Sequence, residues 1–274
     1  MTSGFAPAAA PARPRDPVRG WQLATYAVLL ALAAVAWLVS DVRMSGMDMG
    51  PGSALGTFAF FLVTWVVMMA AMMFPSTAPM VATYVGIQRG RRRKEMPVQA
   101  GATALFVAGY LLTWTAFGLL AYAVVRVAAG SVSWDGSGQA LAVGVLLAAA
   151  VYEATPLKRA CLIRCRGPLS FILTSWRDGR SGALRMGVEH GAWCVGCCWG
   201  LMAALFALGV MSLAWMALIG ALIAVEKLLP WRRVGVALVS GLLVALAVGV
   251  AVSPSDVPGL SVPGTGTEME MPMG

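Results

Sequence analysis

The chain has 274 residues, of which 59% are hydrophobic and 12% are charged, and its mean hydropathy is +0.78. This composition excludes an ordinary soluble domain and predicts an all-α, polytopic transmembrane helical bundle. The net charge of +8 does not indicate a nucleic-acid partner, because the basic residues cluster in the segments that separate apolar runs.

Seven apolar runs approach the roughly 20 residues that one membrane span requires. They cover about 20–40, 55–75, 101–128, 138–156, 188–209, 211–229 and 234–252. The fifth and sixth runs meet in "LGVMSLAW" with almost no loop, so six spans is the alternative count. The sequence therefore predicts one bundle over residues 20–252, with disordered tails at 1–19 and 253–274.

The basic residues predict an orientation. All of them except Arg43 and Arg126 fall in four segments that a seven-span chain would place on the same side. By the positive-inside rule that side is the cytoplasm. We therefore expect a multi-pass protein of a bacterial inner membrane, surrounded by lipid, with its N-terminus in the cytoplasm and its C-terminus outside.

The fifth run begins with "EHGAWCVGCCWG", which holds the only histidine and three of the five cysteines. On a helix, His190, Cys194, Cys197 and Cys198 share one stripe and form a soft nitrogen and sulfur donor set. Such a set suits Cu(I) or Zn(II). One helix cannot surround an ion, so a partner helix must contribute or this helix must open at Gly196. The alternative is that the cysteines pack as small apolar residues.

Glycines at four-residue spacing flank these donors. They are Gly187 and Gly191, followed by Gly196 and Gly200. Small residues at this spacing let helices approach closely in lipid. The spacing therefore predicts that the fifth span is buried among its neighbours.

The second run, "WVVMMAAMMFPSTAPM", offers soft thioether ligands. Its methionines form two pairs at i, i+4, and we take all four as candidate metal ligands: Met68, Met69, Met72 and Met73. Thioethers favour Cu(I), although methionine also fills gaps in helix packing. Pro75 and Pro79 predict a break or kink after Phe74 that would free backbone carbonyls.

Two more methionine clusters lie in the segments predicted outside. "MSGMDMG" and "EMEMPMG" contribute six residues as candidate outer capture ligands: Met44, Met47, Met49, Met269, Met271 and Met273. Methionines exposed in disordered segments have no packing role. The two clusters on one face therefore favour capture of Cu(I) on the outer side.

The segment "YEATPLKRACLIRCRGPLSF" is predicted on the cytoplasmic side. Glu153 ends the fourth span, and intramembrane carboxylates are candidate functional groups. Cys161 and Cys165 are four residues apart on a predicted short basic helix. The alternatives for these two cysteines are metal ligands, a redox pair or free reduced thiols. Glu189 adjoins the histidine as a further candidate ligand. The pair Glu226–Lys227 is interpreted as snorkelling at the membrane interface.

Three segments together resemble a bacterial family of predicted metal-binding integral membrane proteins, a copper-associated domain of unknown function. They are the second apolar run, the segment that contains Cys161 and Cys165, and the stretch that runs from Glu189 to Glu226. The resemblance covers roughly residues 55–230. It implies a helical membrane bundle that binds metal. The positions that carry it are Met68, Met69, Met72, Met73, Glu153, Lys158, Cys161, Cys165, Glu189, His190, Cys194, Cys197, Cys198 and Glu226.

Three functional hypotheses follow. The favoured one is a Cu(I)-binding protein in copper trafficking, acting as a carrier or delivering copper to a cuproenzyme or from a copper chaperone, with zinc as the alternative metal. The second is a membrane thiol-disulfide oxidoreductase that uses the Cys-x-x-Cys of Cys194 and Cys197. The third is a structural or assembly subunit without metal. The sequence has no phosphate loop or catalytic triad, which favours a non-enzymatic role.

Overall fold

The computed structural model describes residues 17–44, 57–97, 99–128, 137–210, 212–229, 232–254 and 257. Within this part it contains only helices, which confirms the predicted helical bundle. In chain order they are α1 (Pro17–Met44), α2 (Phe58–Arg93), α3 (Ala102–Ala128), α4 (Gln139–Glu153), α5 (Pro156–Arg166), α6 (Pro168–Ser175), α7 (Gly179–Leu208), α8 (Leu213–Leu228) and α9 (Arg232–Val252).

Five of the described helices are long and apolar enough to cross a membrane. These segments are Gly20–Met44, Phe58–Arg93, Ala102–Val127, Gly179–Leu208 and Arg233–Val252. The pair α4 and α5, bent by 66°, would make a sixth if it crosses as one broken span. The predicted sixth run is α8, which has only 16 residues. The count of seven spans is therefore not confirmed.

The predicted disordered tails lie mostly outside the described residues. The exception at the N-terminus is the segment 17–19, which already belongs to α1. At the C-terminus, the structure describes 253, 254 and 257, and Val257 is buried against the bundle.

Helix α2 continues through both of its prolines, so the predicted break after Phe74 is wrong. Pro75 and Pro79 lie inside a single helix of 36 residues. Hydroxyl side chains bond to backbone carbonyls around them: Ser76 Oγ donates to Met73 at 3.0 Å, and Thr83 Oγ1 donates to Pro79 at 2.8 Å. Neighbouring helices and such hydroxyls are what make proline tolerable inside a membrane helix.

Helix α7 is the centre of the bundle, where it contacts α3, α4, α5 and α8. Its contact with α3 is made by backbone: a Cβ at Gly187 would meet the backbone of Phe106, and one at Gly109 would meet that of Leu184. A Cβ at Gly191 would collide with Thr113. We call Gly109, Gly187 and Gly191 the glycine seam. It confirms the burial predicted from the small-residue spacing.

The chain turns sharply between α4 and α5, and this turn brings α5 against α7. Thr155 caps α5 by accepting a hydrogen bond from the backbone N–H of Lys158 at 3.3 Å, and Pro156 occupies the first helical position. Helix α5 therefore starts a new direction, bent by 66° from α4. The predicted short helix carrying Cys161 and Cys165 is confirmed.

Candidate metal centre

Three thiols from two helices converge in the interior. The Sγ atoms of Cys165 on α5 and of Cys194 and Cys197 on α7 all lie within 4.8 Å of one another. We call these three residues the thiol cluster. Metal–sulfur bonds of about 2.3 Å place the three sulfurs of a trigonal site about 4 Å apart. The cluster therefore needs only a small contraction to hold one ion.

The two α7 thiols reach the cluster because residues three apart share one face of a helix. The third thiol of the cluster comes from α5, and α7 remains a continuous helix through Gly196. Cys198 stands beside the cluster, with its Sγ 3.3 Å from that of Cys197. Cys161 packs its Sγ against Gly196, where a Cβ would lie only 2.8 Å from it. All five cysteines are free thiols.

A buried lysine contacts the cluster. Lys227 Nζ on α8 donates to Cys194 Sγ at 2.9 Å and to Ser76 Oγ at 3.3 Å. Among the described residues no carboxylate pairs with Lys227, and its side chain is only 7% exposed. A buried ammonium needs a counter-charge. As a thiolate, Cys194 would supply it.

Tyr110 completes the surroundings of Cys194. Its hydroxyl lies 3.1 Å from Cys194 Sγ and accepts a hydrogen bond from Thr77 Oγ1 at 3.1 Å. Either the phenol or the thiol can be the donor in the contact between Tyr110 and Cys194. Cys194 Sγ thus has both the Lys227 ammonium and the Tyr110 hydroxyl within hydrogen-bond distance.

The interpretation of Glu226–Lys227 as an exposed snorkelling pair is wrong. Both side chains are buried, and they face different partners. Glu226 accepts hydrogen bonds from Lys158 Nζ at 2.8 and 2.7 Å, while Lys227 turns to the thiols. Lys158 also bonds to Glu153. We call Glu153, Lys158 and Glu226 the ion triad, which joins α4, α5 and α8. Glu153, a candidate metal ligand from the sequence, therefore belongs to the ion triad and not to the thiol cluster.

His190 is buried but does not join the thiol cluster. Its ring lies among three aromatic rings, with centroid distances of 5.3 Å to Phe171, 5.7 Å to Tyr110 and 6.0 Å to Phe106. Its Nδ1 has no hydrogen-bond partner among the described residues. Glu189 turns away and accepts from Ser175 Oγ at 2.8 Å. The predicted stripe faces the interior as a whole, yet only two of its four members meet Cys165.

The methionines of α2 share the apolar core with the α7 thiols. The four candidates, Met68, Met69, Met72 and Met73, are all buried in that core. Met44 is buried in it too, at the end of α1, so the prediction that it is exposed is wrong. The other outer candidates lie outside the described residues; they are Met47, Met49, Met269, Met271 and Met273.

The sequence model of a family described as a copper chaperone, PpoB2, matches residues 62–250. The chain belongs to the PpoB2 copper chaperone family. No curated protein matches the chain, and no solved structure does. The match confirms the resemblance to a copper-associated membrane family and spans α2 to α9. It leaves out α1 and the methionine clusters near both ends.

Membership in the PpoB2 copper chaperone family indicates a copper-related function, and the thiol cluster is a group of residues able to hold a metal ion. Sequence reasoning overlooked two residues that contact the cluster, Lys227 and Tyr110. Lys227 could have been found by asking what neutralises a charged residue at the end of an apolar helix. Tyr110 gave no such signal, because a tyrosine in an apolar run is ordinary.

Proposed function

We propose that this protein is an integral membrane copper chaperone that holds Cu(I) as cargo between Cys165, Cys194 and Cys197. The convergence of three sulfurs within 4.8 Å in a buried core carries the proposal. In the cell the cargo would pass to a cuproenzyme, or come from another copper chaperone. The surrounding partner is the lipid of a bacterial inner membrane, with the N-terminus in the cytoplasm.

The donor set favours Cu(I) over Zn(II). Thiolates are soft ligands, and no carboxylate belongs to the cluster in the described part of the chain. Structural zinc sites are almost always tetrahedral, and a fourth ligand would have to come from His190 or Cys198. His190 is held among aromatic rings instead. Cys198 stands beside the cluster but is not one of the three sulfurs that converge. Three converging sulfurs suit the lower coordination numbers that Cu(I) accepts, whereas a tetrahedral zinc site would also need Cys198.

Lys227 supports the proposal through charge. A Cu(I) ion bound by two thiolates carries one net negative charge, and by three thiolates two. Burying such charge in an apolar interior is costly unless a cation lies beside it. Lys227 Nζ, 2.9 Å from Cys194 Sγ, supplies that cation. It removes one unit of the negative charge that copper loading would otherwise bury.

The thioethers have a transient role in this proposal. Met68, Met69, Met72 and Met73 lie in the same core as the thiols and offer neutral, weaker ligands. The outer methionines, Met47 and Met49 with those of the C-terminal segment, would capture Cu(I) before it enters. A neutral thioether releases copper to a thiolate readily, because the thiolate binds the cation more strongly.

An anaerobic Cu(I) titration of the detergent-purified protein against a competing chelator tests the proposal. The variant C165S/C194S/C197S removes the thiol cluster, and C161S is the matched control because Cys161 lies one turn from Cys165 on the same helix. We expect tight binding by the wild type and by C161S, and its loss in the triple variant. A parallel Zn(II) titration should show weaker binding.

Equal, weak binding by all three proteins would refute the copper site. A Cys194–Cys197 disulfide that forms and turns over with a quinone or thioredoxin would then favour the thiol-disulfide oxidoreductase. Neither metal binding nor redox turnover would favour a structural or assembly subunit.

A further inference from the structure

Cys165 is the most exposed cysteine residue of the chain. All five cysteines of the chain are described, and four of them are buried, whereas Cys165 is partly exposed. Within the thiol cluster it is also the only ligand from α5, a short helix at the edge of the bundle. A molecule that exchanges copper with the cluster therefore reaches Cys165 before Cys194 or Cys197.

The surface around Cys165 is strongly basic. Residues 154–177, which include α5 and α6, contain five basic residues and no Asp or Glu. Arg159 and Arg164 are exposed, and Arg166 is partly exposed. Glu153 and Glu226 are buried and bound to Lys158, and Glu189 accepts from Ser175 at the end of α6. Among the described residues, none of these carboxylates forms an ion pair with Arg159, Arg164 or Arg166.

Two arginines flank Cys165 in held positions. The Arg164 guanidinium lies 4.4 Å from the ring centroid of Trp193, the residue before Cys194. Arg166 donates a hydrogen bond to the carbonyl of Leu229 at the end of α8. Stacking on a tryptophan leaves the edge N–H groups of a guanidinium free to bind a carboxylate. The Arg164–Trp193 pair thus places an anion-binding group beside the residues that carry copper.

A cavity of about 430 Å³ borders the same helix. Its lining includes Arg159 and Arg233, together with Lys158 and Glu153 of the ion triad. Neither arginine forms an ion pair among the described residues. The cavity therefore offers two guanidinium groups to carboxylates that would approach along α5.

We propose that Cys165 is the exchange ligand, and that copper enters or leaves the cluster as a complex with an anionic thiol, a small molecule with carboxylates close to its sulfur. This inference rests on the proposed function and names its exchange partner. The arginines attract and orient the carboxylates of the partner, which places its sulfur-bound copper at Cys165. The partner's charge, rather than an apolar contact, then determines recognition.

The exchange step conserves charge and oxidation state. The sulfur of Cys165 forms a bond to Cu(I) while the bond from copper to the partner's sulfur breaks. The proton lost by the Cys165 thiol goes to the departing thiolate. Copper stays Cu(I) throughout, so the step needs neither an oxidant nor a reductant. Cys194 and Cys197 then complete the coordination from inside, and any proton that their thiols release goes to a further partner thiolate that leaves copper.

Stopped-flow loading of the purified protein tests this role. Cu(I) is presented as its complex with glutathione, an anionic thiol, or with dithiothreitol, a neutral one, at low and high salt. The variant R159E/R164E reverses two charges of the surface. R126E is the matched control, because Arg126 is an exposed arginine in the last turn of α3, far along the bundle from α5.

We expect loading from glutathione to fall on the order of tenfold at high salt, and by a similar factor in R159E/R164E. R126E should load at the wild-type rate, and loading from dithiothreitol should respond to neither change. C165S should slow exchange more than C197S when both are compared at equal copper occupancy. Wild-type loading of R159E/R164E from glutathione would overturn the inference, and so would equal slowing by C165S and C197S. Wild-type protein that binds no Cu(I) at equilibrium would instead refute the proposed function.

Discussion

Replacing Lys227 with methionine tests how the buried charge contributes to copper binding. The ammonium lies 2.9 Å from Cys194 Sγ and is nearly completely buried. At an effective dielectric constant of about 20, two unit charges at that separation attract by about 6 kcal/mol. Desolvation offsets most of this attraction. Hydrogen bonds to charged groups contribute about 1.5–3 kcal/mol net, which is the figure we adopt.

That free energy corresponds to a Cu(I) dissociation constant about 10- to 100-fold weaker in K227M. The fold should survive, because Cys194 becomes a neutral thiol once the ammonium is removed, and methionine fills the space. The assay is the chelator-competition titration, with a thermal melt of the same sample. K227R is the matched control; because it keeps the charge, it should lie between the wild type and K227M.

A K227M protein that melts like the wild type and binds Cu(I) as tightly would refute the reasoning. Lys227 would then be irrelevant to the charge of the loaded cluster. Equal losses in K227M and K227R would mean that the shape of lysine, rather than its charge, matters for the cluster.

Three further changes test other parts of the structure. K158M leaves two carboxylates buried in the ion triad without a cation, so thermal melts should show the free energy of unfolding lowered by about 3–5 kcal/mol. The variant K158M/E153Q/E226Q, which removes the carboxylate charges as well, should recover most of that stability. G187A puts a methyl group against the backbone of Phe106 and should cost about 1–3 kcal/mol, while G144A, where a Cβ meets nothing within 4 Å, should leave the melting temperature unchanged. M68L/M72L conserves volume and should weaken equilibrium Cu(I) binding less than loss of one cluster thiol does, because thioethers are neutral ligands; a loss as large as that of C194S would make these methionines full ligands.

Helical periodicity predicted the helical bundle and the shared face of two members of the thiol cluster. The apolar runs located the long helices, and the stripe on α7 correctly placed four side chains in the interior. Periodicity fixes which residues share a face, but it does not fix where each side chain ends. His190 and Cys194 are neighbours on α7, yet the imidazole packs among aromatic rings while the thiol meets Cys165.

The contributions of other helices were harder to predict, because they depend on packing. The sequence predicts α5 as a short basic helix on the cytoplasmic side, with Cys161 and Cys165 as metal ligands, a redox pair or free thiols. It does not predict that α5 packs against α7, which follows from the tertiary structure. Similarly, adjacent Glu226 and Lys227 carry opposite charges and looked like a pair. On a helix adjacent residues do not face each other, and each found its partner on a different helix.

Because of the glycine seam, the two helices that form the thiol cluster are held in place by different kinds of contact. Backbone contacts at Gly109 and Gly187 leave no side chain that could change rotamer, so α3 and α7 can move only together. Helix α5 is attached differently, through the long side chains of Lys158, Arg164 and Arg166. The exposed Arg164 side chain can change rotamer quickly, whereas Lys158 is fixed in the ion triad. Cys194 and Cys197 therefore belong to a helix fixed by backbone contacts, whereas Cys165 belongs to a helix held by side-chain contacts. Of the three thiols, Cys165 is the one whose position can adjust when an ion binds or leaves.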